Sequence, residues 1–391
     1  MPSQSMLVTK PYLPPIEEYI KKLEKIWETN WLTNNGPLAV ELEEKLQEYL
    51  GVKHVVLVSN GTIAIQLALR ALEVKGEVIT TPFSFAATTT AIMWEGLKPV
   101  FADIREDNFG LDAELVEKKV GRKTGAIMPV HVYGYPSDVE RIDEVAKKHG
   151  LKVIYDAAHA FGVKLGDRSL LSYGDAATIS FHATKLFNTG EGGAVVTNDD
   201  KTAAKVRSLR DFGYEGEELA VVGINAKNSE FHAALGLCNL PKVTEAIDHR
   251  QFCAKIYDDH ISQLFGVVRP ITPAGIDYNF AYLPVMFESE ELLLSVKSDL
   301  EKAEVFTRRY FYPALNTLPY VKYQSCPVAE SVASRVLCLP LHNSIGVSEV
   351  LKVCEVLKKS LLDQQPKRLV GMRPWAVDSG YPWSFRNLKE N

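Results

Sequence analysis

The sequence predicts an α/β protein with a mostly parallel sheet between helices, followed by a smaller α+β domain. Between about residues 54 and 197, short β-branched segments alternate with segments of helical periodicity. This alternation is typical of a parallel sheet covered on both faces. Past residue 240 the alternation stops, and a long helical stretch precedes fewer strands. With 391 residues, the chain is also longer than one small core requires.

Seven segments of the first region are rich in β-branched residues, and we predict strands at 54–59, 77–81, 98–104, 124–131, 151–157, 177–181 and 193–197. One intervening segment, 138–150, carries Val139, Ile142 and Val145 three residues apart and ends at Gly150. This spacing predicts an amphipathic helix that stops at the glycine.

The change of pattern also predicts how the chain is divided. The second region contains two strand-like segments, 280–287 and 336–342. We expect an N-terminal arm over 1–30, a large α/β domain over 31–245 and a small α+β domain over 246–391.

Composition narrows the function classes. The net charge is −5 and the isoelectric point is near 6.0, so no basic surface predicts nucleic-acid binding. The five cysteines show neither a CxxC pair nor metal-ligand spacing. No apolar run approaches the length of a membrane span, and the N-terminus has no signal-peptide core. We therefore expect a cytoplasmic protein without a metal site.

In parallel sheets, ligands bind outside the carboxyl ends of the strands, so the residues after each strand are candidate site residues. Asn60-Gly61-Thr62 joins the first strand to a helix, which fits either a phosphate site or plain helix capping. Phe85 follows the second strand, where its ring could cover a flat ligand or pack in the core.

Two charged residues lie at later strand ends. Asp156 ends an apolar strand and is either a helix cap or the partner of a protonated ring nitrogen. Lys185 lies between Ser180 and a glycine-rich segment that leads into the last predicted strand. It is either a solvated lysine or a desolvated nucleophile. A ligand with a phosphate, a flat ring, a ring nitrogen and an aldehyde would use all these residues, and pyridoxal 5′-phosphate has these features.

These segments resemble the DegT-type sugar-nucleotide aminotransferases, which are fold-type I pyridoxal phosphate enzymes. The resemblance rests on "SNGTIAIQLAL", "TPFSFAATTTAI", "IYDAAHAFG", "SFHATKLFNTGEGGAVVT" and "GINAKNSEFHAALGL", which occur in family order. It implies that Lys185 binds the cofactor aldehyde and transfers protons, and that Asp156 pairs with the pyridine nitrogen. It also implies that Gly61, Thr62 and Ser180 bind the phosphate.

The resemblance implies further contacts. Phe85 would stack on the ring and His159 would flank it. In the family, a loop of the second subunit completes the phosphate site, so Asn225 of "GINAK" would act across a homodimer. Lys227 stands where an arginine is commoner, which weakens the case for a bidentate anion contact there.

The segments "WLTNNGP" and "TRRYFYP" resemble the subgroup that forms dTDP-4-amino-4,6-dideoxyglucose. This implies amino transfer from L-glutamate to C4 of a dTDP-4-keto-6-deoxyhexose, for O-antigen or another surface glycan. Asn35, Tyr310 and Phe311 would contact the sugar nucleotide.

Other functions stay open at this point. They are amination at C3 of a 3-keto-6-deoxyhexose nucleotide and a non-catalytic regulator on the same fold. Two other classes are disfavoured. A related dehydratase would carry histidine at position 185, where this sequence has lysine, and a dehydrogenase would need a glycine fingerprint after the first strand, which is not found here.

Overall fold

The computed structural model of the protein describes residues 5–270 and 272–364. Its largest sheet has seven strands: β1 His54–Val58, β2 Glu77–Thr80, β3 Lys98–Phe101, β4 Thr124–Met128, β5 Lys152–Asp156, β6 Ala176–Ser180 and β7 Gly193–Thr197. Their order across the sheet is β1-β7-β6-β5-β4-β2-β3. Only β7 is antiparallel to its neighbours, β1 and β6. The predicted mostly parallel seven-stranded sheet is confirmed.

The α-helices of the described residues are α1 Ile16–Thr29, α2 Pro37–Leu50, α3 Gly61–Ala71, α4 Ala86–Trp94, α5 Ala113–Lys119, α6 Val139–His149, α7 Asp200–Leu209, α8 Glu230–Asn239, α9 Val243–Ile261, α10 Glu290–Lys302, α11 Pro327–Arg335 and α12 Val347–Gln364. Local caps explain the limits of α6, the helix predicted at 138–150. The Asp138 carboxylate accepts from the Arg141 amide at its start, and Gly150 ends it at φ 67°.

The carboxyl ends of β1, β2, β5 and β6 meet at one edge of the sheet, because these strands run in the same direction. β1 is antiparallel to β7, which is antiparallel to β6, so β1 and β6 are parallel to each other. Asp156 and Ser180 are the last residues of β5 and β6. Gly61 begins α3 just after β1. The predicted site residues at strand ends therefore share this edge.

The second region contains a three-stranded antiparallel sheet of β8 Val267–Val268, β9 Leu283–Phe287 and β10 Val336–Leu339. β9 begins three residues later than predicted, because Asn279 instead anchors the preceding segment to the carbonyls of His159 and Phe161. β10 ends before Pro340, which has no N–H to continue the ladder.

Helix α9 joins the cores of the two regions. Val243 and Ala246 pack in the core beneath the large sheet, whereas Tyr257 and Ile261 pack in the core of the second region. The predicted domain limit at 245/246 therefore falls inside α9 and stays a prediction.

The N-terminal segment contacts both regions. Strand Met6–Leu7 pairs in parallel with Val305–Phe306 of the second region. Helix α1 packs on α8 of the first region, and Trp27 meets Phe231 edge to face at 6.2 Å. The arm predicted over 1–30 therefore includes an extended segment and a helix, and residues 1–4 lie outside the described part.

Candidate active site

The turn from β1 to α3 forms a cradle of backbone amides at the start of the helix. The Asn60 side chain accepts from the Ile63 amide at 2.9 Å, and the Asn60 carbonyl accepts from Ala64. The first amides of a helix, here those of Gly61 and Thr62, have no carbonyl partner within it. These amides and the helix dipole favour an anion.

Gly61 cannot be replaced without disturbing this cradle. A Cβ at Gly61 would lie 2.9 Å from Cβ and 3.4 Å from Oγ of Ser180. The Ser180 hydroxyl accepts a long 3.4 Å hydrogen bond from the His182 amide, which leaves its proton available. The start of α3 and the side chain of Ser180 therefore lie so close together that position 61 has no room for a side chain.

Asp156 presents a buried carboxylate at the end of β5, with a relative exposure of 6%. Its Oδ2 accepts from Thr88 Oγ1 at 2.6 Å, and its Oδ1 accepts from the Ala158 amide at 3.2 Å. Burial raises the pKa of Asp156, while these two bonds and the charge of Lys185 lower it. Asp156 does not cap a helix, since it belongs to β5 and no helix of the described residues begins directly after it.

The side chain of Lys185 is only partly exposed, and its charge acts on the carboxylate of Asp156. Its Nζ lies 3.4 Å from the Tyr282 hydroxyl. Burial lowers the pKa of Lys185 to about 8, against the opposing effects of Asp156 and Tyr310. Desolvation therefore outweighs the attraction of the carboxylate, and a substantial fraction of the amine is neutral near physiological pH.

His159 forms one wall of the cleft. Its Nδ1 accepts from the Tyr133 amide at 3.1 Å, so the neutral ring carries its proton on Nε2. Burial lowers the pKa of His159 well below its usual range, and Lys185 adds to this effect. Phe311 stacks on the ring at 5.6 Å with an interplanar angle of 8°. His159, Ser180, Lys185 and Tyr282 line one cavity.

Phe85 and Tyr310 lie beside aromatic residues that surround this cleft. Phe85 is 61% exposed, and its ring is 6.5 Å from that of Phe311. The packing alternative for Phe85 therefore has little support. Tyr310 meets the Tyr282 ring edge to face at 5.5 Å, and its carbonyl accepts from the Tyr133 hydroxyl.

Asn35 lies in a separate hydrogen-bond network. Its carboxamide oxygen accepts from Arg210 at 2.7 Å, and the same guanidinium donates to Glu43 at 2.7 Å. Among the described residues, no hydrogen bond joins Asn35 to Lys185, Asp156 or His159. Its sugar-nucleotide contact stays a prediction.

The "GINAK" segment lies beside the phosphate cradle. The Ala226 carbonyl accepts from the Ser59 amide at 2.8 Å, while Asn225 is exposed. Lys227 is 7% exposed and forms an ion pair with Asp211. Its charge is thereby compensated within the chain, so a role as an anion ligand has little support. Asn225 stays a predicted donor to a partner's site.

Sequence reasoning missed two residues that contact the predicted pair. Thr88 binds Asp156 and Tyr282 binds Lys185. Thr88 lies in the quoted segment "TPFSFAATTTAI", three residues after Phe85 and hence one helical turn further along the same strand-to-helix connection. Tyr282 comes from a segment about 100 residues later in the chain, where no local pattern distinguishes it.

Comparison with known proteins identifies the family. Residues 15–358 match the DegT/DnrJ/EryC1/StrS aminotransferase family. The chain belongs to this family. Its members use pyridoxal 5′-phosphate, and the cradle at Gly61, the buried Asp156 carboxylate and the Lys185 amine fit that cofactor.

Two curated relatives share a name. The "dTDP-4-amino-4,6-dideoxy-D-glucose transaminase" of Shigella dysenteriae is 43% identical over 354 residues, covering 89% of this chain and 96% of the relative. The protein of that name from Escherichia coli is 40% identical over 370 residues, covering 91% and 99%. The solved structure of DesI with its TDP-sugar product superposes with a TM-score of 0.89 at 36% identity, covering 93% of this chain and 95% of DesI.

Two further observations concern the described residues alone. No group of three or more His, Cys, Asp or Glu side chains among them could hold a metal ion. None of their helices is long and apolar enough to cross a membrane.

Proposed function

We propose that this aminotransferase moves the amino group of L-glutamate to C4 of a dTDP-linked 4-keto-6-deoxyhexose, forming dTDP-4-amino-4,6-dideoxyglucose. The observation that carries the activity is that Lys185, which lines one cavity with Ser180 and His159, interacts electrostatically with the buried carboxylate of Asp156. The choice of sugar is supported by the relatives of 40–43% identity that carry this product in their names.

The residues of the cleft would hold pyridoxal 5′-phosphate at both ends. Gly61, Thr62 and Ser180 would donate hydrogen bonds to its phosphate. Asp156 would accept from its ring nitrogen and favour the protonated ring. Phe85 would cover one face of the ring. When bound, the cofactor supplies a carbonyl that accepts an amino group and a ring that takes up electrons.

Lys185 would carry the proton transfers. Its neutral amine would take the Cα proton of glutamate, and its ammonium would later return a proton to C4 of the sugar. A pKa of about 8 suits both steps, because each protonation state is well populated near neutral pH. His159 would stay neutral and would donate from Nε2 toward the bound cofactor. In the overall exchange, glutamate becomes 2-oxoglutarate and the sugar ketone becomes an amine.

The direct test is incubation of the purified holoenzyme with glutamate and a panel of dTDP- and UDP-linked keto sugars. We expect 2-oxoglutarate and a new C–N bond at C4 of the dTDP sugar, located by NMR. Lys185→Ala should abolish turnover, whereas Lys164→Ala, which changes an exposed lysine, should not. Amination at C3 would overturn the proposed position, and normal turnover by Lys185→Ala would overturn the proposed mechanism.

We further propose a cytoplasmic homodimer in which Asn225 completes the partner's phosphate site. The exposed apolar side chains beside Asn225, including Leu219 and Val222 at 65% and 88% exposure, support an interface there. Subunit mixing tests the arrangement. Lys185→Ala and Asn225→Ala subunits, each impaired alone, should regain activity when mixed, because one site of the mixed dimer is then intact. If Asn225→Ala is impaired alone and mixing gives no regain, Asn225 acts in its own subunit's site and the proposed arrangement fails; full activity of Asn225→Ala alone would place Asn225 outside any site.

A further inference from the structure

Two hydroxyl groups, one just before helix α4 and one within it, form a hydrogen-bonded chain that ends on the carboxylate of Asp156. Ser84 Oγ lies 2.8 Å from Thr88 Oγ1, and Thr88 Oγ1 lies 2.6 Å from Asp156 Oδ2. Thr88 is fully buried, and Ser84 is 3% exposed. The chain of hydroxyls is therefore shielded from water, where a charge-assisted hydrogen bond is strong.

The donor capacity of each group fixes the direction of these bonds. An ionised carboxylate only accepts, so Thr88 donates its single proton to Asp156. Ser84 must then be the donor to Thr88. This matters because a threonine in a helix can otherwise donate to a carbonyl of the preceding turn, and the proton from Ser84 favours the orientation toward Asp156.

We propose that Thr88, oriented by Ser84, is a positioning residue that keeps Asp156 ionised and aligned for the ring nitrogen of pyridoxal phosphate. The inference rests on the proposed role of Asp156. The Thr88 hydroxyl occupies one lone pair of Oδ2 and the Ala158 amide occupies one lone pair of Oδ1. The carboxylate is thus held from two directions, and each oxygen keeps a second lone pair that none of the described residues occupies.

The hydrogen bond from Thr88 lowers the pKa of the buried Asp156 carboxyl. Burial is the largest effect and raises the pKa of Asp156, and the Thr88 bond is the largest of the effects that lower it. Of the described charged groups, Lys185 also acts on Asp156. The neighbouring His131 and His159 are neutral, since burial lowers the pKa of His131 to about 3 and that of His159 well below its usual range.

The test compares Thr88→Val with Thr89→Val. Both remove a fully buried threonine hydroxyl, but Thr89 Oγ1 has no hydrogen-bond partner among the described residues. The readout is the dissociation constant of pyridoxamine 5′-phosphate from the apoenzyme, measured by fluorescence as a function of pH. This probe carries the ring and phosphate without the aldehyde, so its binding does not require covalent attachment to Lys185.

We expect Thr88→Val to weaken binding about tenfold or more at neutral pH, because a hydrogen bond to a charged group is lost. Affinity falls as pH drops through the pKa of Asp156, and removing the Thr88 donor raises that pKa. The fall should therefore move to higher pH by about one to two units. Thr88→Ser should restore both values, and Ser84→Ala should give a smaller shift in the same direction.

The outcomes separate this inference from the proposed function. If Asp156→Asn weakens binding but Thr88→Val and Ser84→Ala both behave like Thr89→Val, the hydroxyl chain has no positioning role. If Asp156→Asn itself binds the probe normally, the proposed role of Asp156 is wrong, and the inference about Thr88 falls with it. An analogue with carbon in place of the ring nitrogen should show no difference between Thr88→Val and wild type, and a persisting difference would contradict the inference.

Discussion

The reactivity of Lys185 toward a carbonyl should depend on pH in a way that its burial dictates. The pKa of the side chain is lowered to about 8. At about pH 7.5, roughly one quarter of the Lys185 amines are then neutral, against about one in a thousand for a solvated lysine. Only the neutral amine attacks an aldehyde, so the site gains about two orders of magnitude in reactive amine.

The assay mixes apoenzyme with pyridoxal 5′-phosphate in a stopped-flow instrument and follows the visible absorbance between about pH 6 and pH 10. We expect the rate to rise about tenfold per pH unit and to level off above about pH 8. N-acetyl-lysine under the same conditions provides the reference, and its rate should keep rising. A protein rate that also rises to about pH 10 would refute a desolvated Lys185.

Asp156→Asn sharpens this test because the carboxylate opposes the effect of burial. Asp156 raises the pKa of Lys185, so its removal should lower that pKa further. The plateau should then begin at a lower pH than in the wild type. An unchanged or higher midpoint would show that the two side chains do not interact as the structure places them.

Three further changes test the site and its support. Gly61→Ala would place a methyl group 2.9 Å from Cβ of Ser180 and should weaken cofactor binding about tenfold or more, measured by equilibrium titration. Gly121→Ala, with open space around it, should leave cofactor binding unchanged. Tyr282→Phe removes the hydroxyl 3.4 Å from the Lys185 amine and should lower the midpoint of the stopped-flow profile by about half a pH unit. Glu43→Ala leaves a buried arginine without its carboxylate and should lower the free energy of unfolding by about 3 kcal/mol in urea denaturation.

Much of the fold could be predicted because its signals are local. Alternation of β-branched and helical segments identified all seven strands of the large sheet. The limits of α6 followed from Asp138 and Gly150, whose capping acts within one turn of backbone. The prediction from local pattern was wrong at the start of β9. There Asn279 donates hydrogen bonds to carbonyls about 120 positions earlier, and the segment after it joins the sheet only from Leu283.

Local patterns in the sequence predict Asp156, Gly61 and Lys185 as site residues, because each lies at or just after a strand end and a parallel sheet brings such ends to one edge. The pKa values and hydrogen-bond partners of these groups depend on tertiary packing. The hydroxyl of Tyr282 and the burial that lowers the pKa of Lys185 depend on a segment nearly 100 residues away. Desolvation and hydrogen-bond geometry arise from three-dimensional packing, and no local sequence pattern encodes them.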